Sequence, residues 1–263
     1  MIDLHNHIIP NLDDGSKSLD MSLSMLKHAS DQGITDVVNT VHYQSPRMDG
    51  KTVEYDLVKN KVKQLQDEID KNGIAIKLHI GAEVFYLPNL MELKDNPLLT
   101  FVHGKYMLVE FPVDQVPNGC QDMFFKLKLA GVTPIIAHPE RIKPIQKDLS
   151  IVRRFIRGGC VIQIDAGSLT GSLGSSSEKT ALEIIRQGCC HIVGSDAHDD
   201  NRRNFLLAEA LEIAIEIMGK KAVDMVTVNP QNILSGEPIE THVETPIPQP
   251  ETIFQKVRRR IFY

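Results

Sequence analysis

Two hydrophobic periods alternate along the chain. Short runs with apolar and β-branched residues predict strands at about 2–6, 36–41, 76–80, 106–111, 133–137, 160–164 and 190–194. Between them lie longer amphipathic stretches that predict helices. The first covers about 19–32, with Met21, Leu23, Met25, Leu26 and Ala29 as apolar positions and Gly33 as its stop. Others cover about 53–72, 121–130, 149–157 and 178–187, each followed by glycine, and a last helix covers about 205–218. Strand and helix alternate about seven times, which demands parallel strands with right-handed crossovers. The period alone allows an open doubly wound sheet or a closed barrel. No Gly-x-Gly-x-x-Gly loop follows the first strand, which lowers the nucleotide-binding option.

The 263 residues suit one large domain, since α/β barrels often fill 200–250 residues. Apolar residues make up 42% and charged residues 24%, enough for a sizeable core. A net charge of −5 argues against a nucleic-acid protein held by bulk electrostatics. No apolar run approaches the ~18 residues of a membrane span. No basic segment followed by an apolar stretch opens the chain, so a cytoplasmic protein is expected. Cys120, Cys160, Cys189 and Cys190 lack metal spacing or a disulfide framework and read as reduced core residues. None is followed six positions later by arginine, so a Cys-x5-Arg phosphatase loop is absent. From about 235 the composition changes. Pro238, Pro246, Pro248 and Pro250 precede a basic-aromatic end with Lys256, Arg258, Arg259, Arg260, Phe262 and Tyr263. This 236–263 extension suits lying on the barrel or weakly associating with a partner or an anionic membrane surface.

The candidate chemistry sits at the strand ends. The first strand offers His5 and His7, which point the same way at a spacing of two. The second offers His42, the third Glu83, the fourth Glu110, the fifth His138, and the seventh Asp196 and His198. In parallel α/β folds, active sites lie at the carboxyl ends of the strands. Eight ligand-type side chains at that edge exceed the needs of one ion, so two or three ions sharing bridging carboxylates are expected. Mixed imidazole and carboxylate donors without thiolate favour Mn, Fe or Zn over Ca. Such a site suits phosphate-ester hydrolysis, because the ions acidify a water and neutralise phosphoryl charge. Arg141 is placed to fork onto phosphoryl oxygens, with Arg202 and Arg203 as further candidates. His28, His79, His103, His191 and His242 read as structural or exposed. Asp13 and Asp14 suit a loop turn or a helix cap, Glu110 also suits an ion pair with Lys or Arg, and Asp165 is one more strand-end carboxylate.

Together, His5-x-His7, Asp13-Asp14-Gly15, Thr40-x-His42, Gly81-Ala82-Glu83, Glu110-Phe111, His138-Pro139-Glu140-Arg141 and Ser195-Asp196-Ala197-His198 resemble the PHP superfamily of metal-dependent phosphoesterases. The order of motifs is similar to the bacterial protein-tyrosine phosphatases encoded with capsule and exopolysaccharide genes, over residues 1–235. The resemblance implies a distorted, TIM-like (β/α)7 barrel with a three-ion site, Mn²⁺ foremost and Fe, Zn or Mg as substitutes. It implies one ion on His5, His7, Glu83 and Asp196. A second ion would share Glu83 and be completed by Glu110 and His138, and a third would sit on Asp14, His42 and His198. Arg141 and Arg203 would bind phosphate. The implied reaction is in-line attack on phosphotyrosine by hydroxide held on the ions, with no phosphoenzyme. The implied protein substrate is a cognate tyrosine kinase of polysaccharide synthesis. The alternatives are a small-molecule phosphatase such as histidinol-phosphatase, or a non-catalytic phosphotyrosine-binding module. Tyr43 departs from relatives that carry a second His or a basic residue there. With Phe85 and Tyr86 it offers aromatic walls for a substrate ring.

Overall fold

The computed structural model describes residues 1–241. The prolines and the basic-aromatic end expected beyond 241, and His242, lie outside the described residues.

Seven parallel strands pair in sequence order: β1 (Ile2–Asn6), β2 (Asp36–Tyr43), β3 (Lys77–Phe85), β4 (Tyr106–Glu110), β5 (Thr133–Ile136), β6 (Val161–Asp165) and β7 (Ile192–Gly194). Helices cover the outside: α1 (Leu19–Asp31), α2 (Tyr55–Lys71), α3 (Leu90–Leu93), α4 (Cys120–Leu129), α5 (Lys143–Lys147), α6 (Ser150–Arg157), α7 (Ala166–Leu169), α8 (Ser175–Arg186), α9 (Leu207–Met218) and α10 (Val228–Ser235). The curved sheet nearly closes. Just beyond β7, the Asp196 N–H donates to His5 O at 2.7 Å, and the His7 N–H donates to Ala197 O at 2.8 Å. The choice that the hydrophobic period leaves open falls to the distorted (β/α)7 barrel.

Inward positions read from floor to rim. On β2 they are Val38, Thr40 and His42, and on β4 they are Tyr106, Leu108 and Glu110. The lower members join Ile2, Leu4, Ile135, Val161 and Ile192 in an apolar plug inside the barrel. A larger core of helix and outer-strand residues, including Met25, Leu65, Phe124 and Phe155, seals the outside.

β1 needs one adjustment to serve both layers. Asp3 pairs with Val37 but Asn6 with Asn39, so β1 carries one extra residue. A bulge of one residue switches which alternate side chains face inward. Ile2 and Leu4 can therefore fill the plug while His5 and His7 also turn inward. The Thr40 hydroxyl fills the interrupted ladder, accepting from the Asn6 N–H and donating to Asn6 O, each at 3.1 Å.

β3 runs on to Phe85, so Glu83 lies within the strand rather than after it. The Gly81-Ala82 pair looks like a strand end by propensity, but residues 81–84 stay paired with 40–43 on β2. Residues 236–241 begin beside β4, where Tyr106 Oη donates to Glu237 O at 2.7 Å.

Candidate metal centre

His5 Nε2 and His7 Nε2 lie 3.3 and 3.4 Å from Glu83 Oε2, and each lies 3.5 Å from Asp196 Oδ1. His138 Nε2 is 2.8 Å from Glu83 Oε1. His42 reaches two ways, with Nδ1 3.1 Å from Glu83 Oε2 and Nε2 3.2 Å from Asp14 Oδ1. His198 Nε2 is 3.3 Å from the same Asp14 oxygen, and Glu110 Oε2 lies 3.9 Å from His42 Nδ1. All nine expected ligand positions are thus brought into one cluster at the strand ends. They form overlapping sets whose donor atoms lie within 4.8 Å of one another: His5, His7 and Asp196; His5, Glu83 and His138; His42, Glu83 and Glu110; and His7, Asp14, His42 and His198.

The donors suit cations. His5 Nε2, His7 Nε2, both nitrogens of His42, His198 Nε2, Asp14 Oδ1 and Glu110 Oε2 are buried without a hydrogen-bond partner. Buried polar atoms of this kind are costly unless something coordinates them. Burial pulls the His5 imidazole down, but Glu83 and then Asp196 outweigh it and push it up to about 9. His42 is likewise held down by burial and raised by Glu83, also to about 9. Burial pushes Glu83 and Asp196 up, yet His5 and His42 around Glu83, and His198 and His5 around Asp196, hold both well below the carboxylate range. The cluster therefore favours positive charge among its carboxylates, a demand that divalent ions meet.

Partners behind the ligands aim them. His5 Nδ1 faces Gln163 Oε1 at 2.8 Å, and His7 Nδ1 faces Asp13 Oδ2 at 2.8 Å, which leaves both Nε2 atoms turned into the cluster. Asp13 also accepts the Gly15 N–H at 3.1 Å and the His42 N–H at 3.3 Å. It is neither a plain turn residue nor a helix cap; the cap of α1 is Ser18. Gly15 is required by close approach, because a Cβ there would sit 2.0 Å from His7 O. At Gly194 a Cβ would sit 2.9 Å from His5 Cβ. Asp3, on the outer side of β1, accepts the Ser195 N–H at 2.7 Å and the Ser195 hydroxyl at 2.8 Å, locking the Asp196 loop to β1.

The arginines converge on the outer oxygen of Asp196. Arg141 Nη1 donates to Asp196 Oδ2 at 2.6 Å and to Asp165 Oδ2 at 2.9 Å. Arg203 Nη2 donates to the same Asp196 oxygen. The two side chains are 16% and 29% exposed, so they reach both the ligand shell and the mouth. Asp165 anchors Arg141 and joins none of the ligand sets among the described residues. Arg202 is exposed, and its backbone N–H donates to Asp199 Oδ1 at 2.7 Å. Tyr86 is no substrate wall: it is 6% exposed and packs edge-on against Phe111 and Phe124. Of the remaining histidines, His28, His79, His103 and His191 bond elsewhere, to Phe205 O, Asp36, Ile233 O and the Ile162 N–H.

The sequence reading missed Gln163, the aiming role of Asp13, and Arg47, whose guanidinium approaches Glu110 and Asp14. Gln163 falls two residues before Asp165 on the inward face of β6, a period-two signal that was available. Arg47 sits in a loop with no spacing to betray it.

The family model described as "Capsular polysaccharide synthesis, CpsB/CapC" matches residues 1–235. The tyrosine-protein phosphatase YwqE of Bacillus subtilis is 32% identical over 248 residues, covering 94% of this chain and 96% of that protein. The tyrosine-protein phosphatase CpsB of Streptococcus pneumoniae is 28% identical, over 90% of this chain and 99% of that one. A crystal structure from a study of these two, described as metal-dependent tyrosine phosphatases, superposes with a TM-score of 0.87 at 31% identity. That match spans 95% of this chain and 100% of that one. The organophosphorus hydrolase of Deinococcus radiodurans, at a TM-score of 0.55 and 11% identity, shares the fold alone. By its motif order over residues 1–235, its barrel and these matches, the chain belongs to the CpsB/CapC capsular polysaccharide synthesis family.

Proposed function

We infer that the chain is a metal-dependent protein-tyrosine phosphatase, a phosphoric monoester hydrolase acting on phosphotyrosine. The observation that carries this reading is the buried imidazole–carboxylate cluster, whose donor atoms lack partners, with two guanidiniums at its edge. Thiol chemistry offers no competing route. All four cysteines are buried and free, and burial pushes Cys120 up to about 11 and Cys160 up to about 12.

In this reading His5, His7, Asp14, His42, Glu83, Glu110, His138, Asp196 and His198 hold two or three divalent ions. Mn²⁺ is foremost, and Fe, Zn or Mg suit the same donors. Such ions, when bound, acidify a water and neutralise charge on the phosphoryl group. The chain's own residues do the rest. Gln163 and Asp13 fix the imidazole orientations of His5 and His7. Arg141, held by Asp165 and Asp196, presents its guanidinium to the non-bridging phosphoryl oxygens, and Arg203 does so from the loop after β7. Attack is in line, with tyrosine leaving opposite and no phosphoenzyme. Residues 1–235 form the phosphatase unit, and 236–263 is an extension. The family's link to capsule synthesis supports a cognate tyrosine kinase of polysaccharide assembly as the protein substrate. No helix among the described residues is long and apolar enough to cross a membrane.

Steady-state kinetics with Mn²⁺ on a phosphotyrosine peptide and on histidinol phosphate test the substrate. The peptide is expected to show the higher kcat/KM, and a large preference for histidinol phosphate contradicts the reading. Release of phosphate from any aryl ester excludes a purely binding role.

A further inference from the structure

Three of the cluster's four carboxylates share one construction, while Glu83 turns both oxygens to imidazoles. Asp196 turns Oδ1 toward His5, His7 and His198 and offers Oδ2 to Arg141 and Arg203. Asp14 turns Oδ1 toward His42 and His198, while its Oδ2 lies 3.9 Å from Arg47 Nη1. Glu110 keeps Oε2 buried and without a partner toward His42, while its Oε1 lies 3.5 Å from Arg47 Nη2. Arg47 thus stands to Asp14 and Glu110 as the other two arginines stand to Asp196, but from the opposite side of the mouth, after β2 rather than after β5 and β7.

Its backbone is fixed. Arg47 lies in the 3-10 turn Pro46–Met48, and the Arg47 N–H donates to Ser45 Oγ at 3.4 Å. The Gly50 N–H closes the turn on Ser45 O at 2.9 Å. Gln44 Nε2 ties the base of the loop to Phe85 O at 2.9 Å. The guanidinium is less committed. The side chain is 37% exposed, and 3.5 and 3.9 Å are ion-pair distances rather than hydrogen bonds. A guanidinium carries five N–H donors, so Arg47 retains donors for an anion in the mouth.

We propose that Arg47 is a third substrate-positioning arginine, gripping the phosphoryl group from the β2 side while Arg141 and Arg203 grip it from the other. The proposal rests on the phosphatase reading, and its test includes a readout that needs no turnover. Inorganic phosphate binding to the Mn²⁺-loaded protein is measured by calorimetry for wild type, Arg47→Ala and Arg47→Lys, beside a Mn²⁺ titration of each. Loss of charge-assisted hydrogen bonds is expected to weaken phosphate binding by about tenfold or more in Arg47→Ala. Arg47→Lys is expected to fall between, with Mn²⁺ affinity held in both variants. With the phosphotyrosine peptide, KM is expected to rise by a similar factor while kcat changes less. Unchanged phosphate affinity in Arg47→Ala overturns the assignment. So does a fall in Mn²⁺ affinity that accounts for the whole phosphate effect, because Arg47 would then only orient ligands. A wild type that binds phosphate but releases none from the peptide overturns the proposed activity instead, and the calorimetry still decides Arg47.

Discussion

His7 is gripped from both ends: Asp13 holds Nδ1 at 2.8 Å, and Nε2 faces Glu83 and Asp196. Carboxylate–imidazole pairs of this kind fix the tautomer and raise the basicity of the ligand. Asp13→Asn is therefore expected to lower Mn²⁺ affinity by about 10–100-fold, read by titration, with the fold intact by circular dichroism. The clustered candidate ligands were legible because histidine and carboxylate are conspicuous at strand ends. Asp13 was not, because Asp in a loop suits turns and caps equally well. His191 provides a separate check far from the ligand sets. Burial lowers its pKa from 6.5 to about 4, and its Nδ1 accepts the Ile162 N–H at 3.0 Å. Between those values the unfolded chain binds the proton and the folded chain does not. Stability from this group is complete above pH 6.5 and is lost as pH falls toward 4, by up to roughly 3 kcal/mol. His191→Asn keeps an acceptor and removes the titration. Denaturant melts from pH 7 to 4.5 are expected to show a smaller loss in the variant than in wild type, and equal losses contradict the assignment.

At the scale of elements, periodicity found the seven strands and six helices, α1, α2, α4, α6, α8 and α9, because each buries a regular face. It missed α3, α5 and α7, which are too short for a 3.6-residue stripe to repeat, and α10, where Asn229, Pro230 and Asn232 interrupt the apolar stripe. The bulge in β1 was equally hidden. It is a register relation to β2, so only the pairing partner reveals it. α4 shows what the stripe means energetically. Phe124 is 1% exposed and meets Tyr86, Phe111 and Phe155 with ring centroids 5.8–5.9 Å away, whereas its neighbour Phe125 is 60% exposed. Phe124→Ala is expected to cost about 3–5 kcal/mol in chemical denaturation. Phe125→Ala is expected to stay within about 0.5 kcal/mol.

For the whole molecule, the alternation of strand and helix fixed an all-parallel α/β fold but not its closure. Closure depends on Asp3 reaching Ser195 and on backbone bonds between β1 and the segment after β7, contacts between residues nearly two hundred positions apart. Local pattern carries no signal for such pairs. The resemblance to a known motif order supplied the barrel, and the geometry then shows why the order works. Every candidate ligand is delivered by the rim of one barrel whose floor is apolar. The central claim is that this rim performs hydrolysis through bound metal. It is tested most directly by phosphate release from a phosphotyrosine peptide, measured with Mn²⁺, with excess chelator, and with His138→Ala. Activity is expected with Mn²⁺ alone, with loss by orders of magnitude on chelation or in the variant. Activity that survives both chelation and the loss of His138 would contradict it.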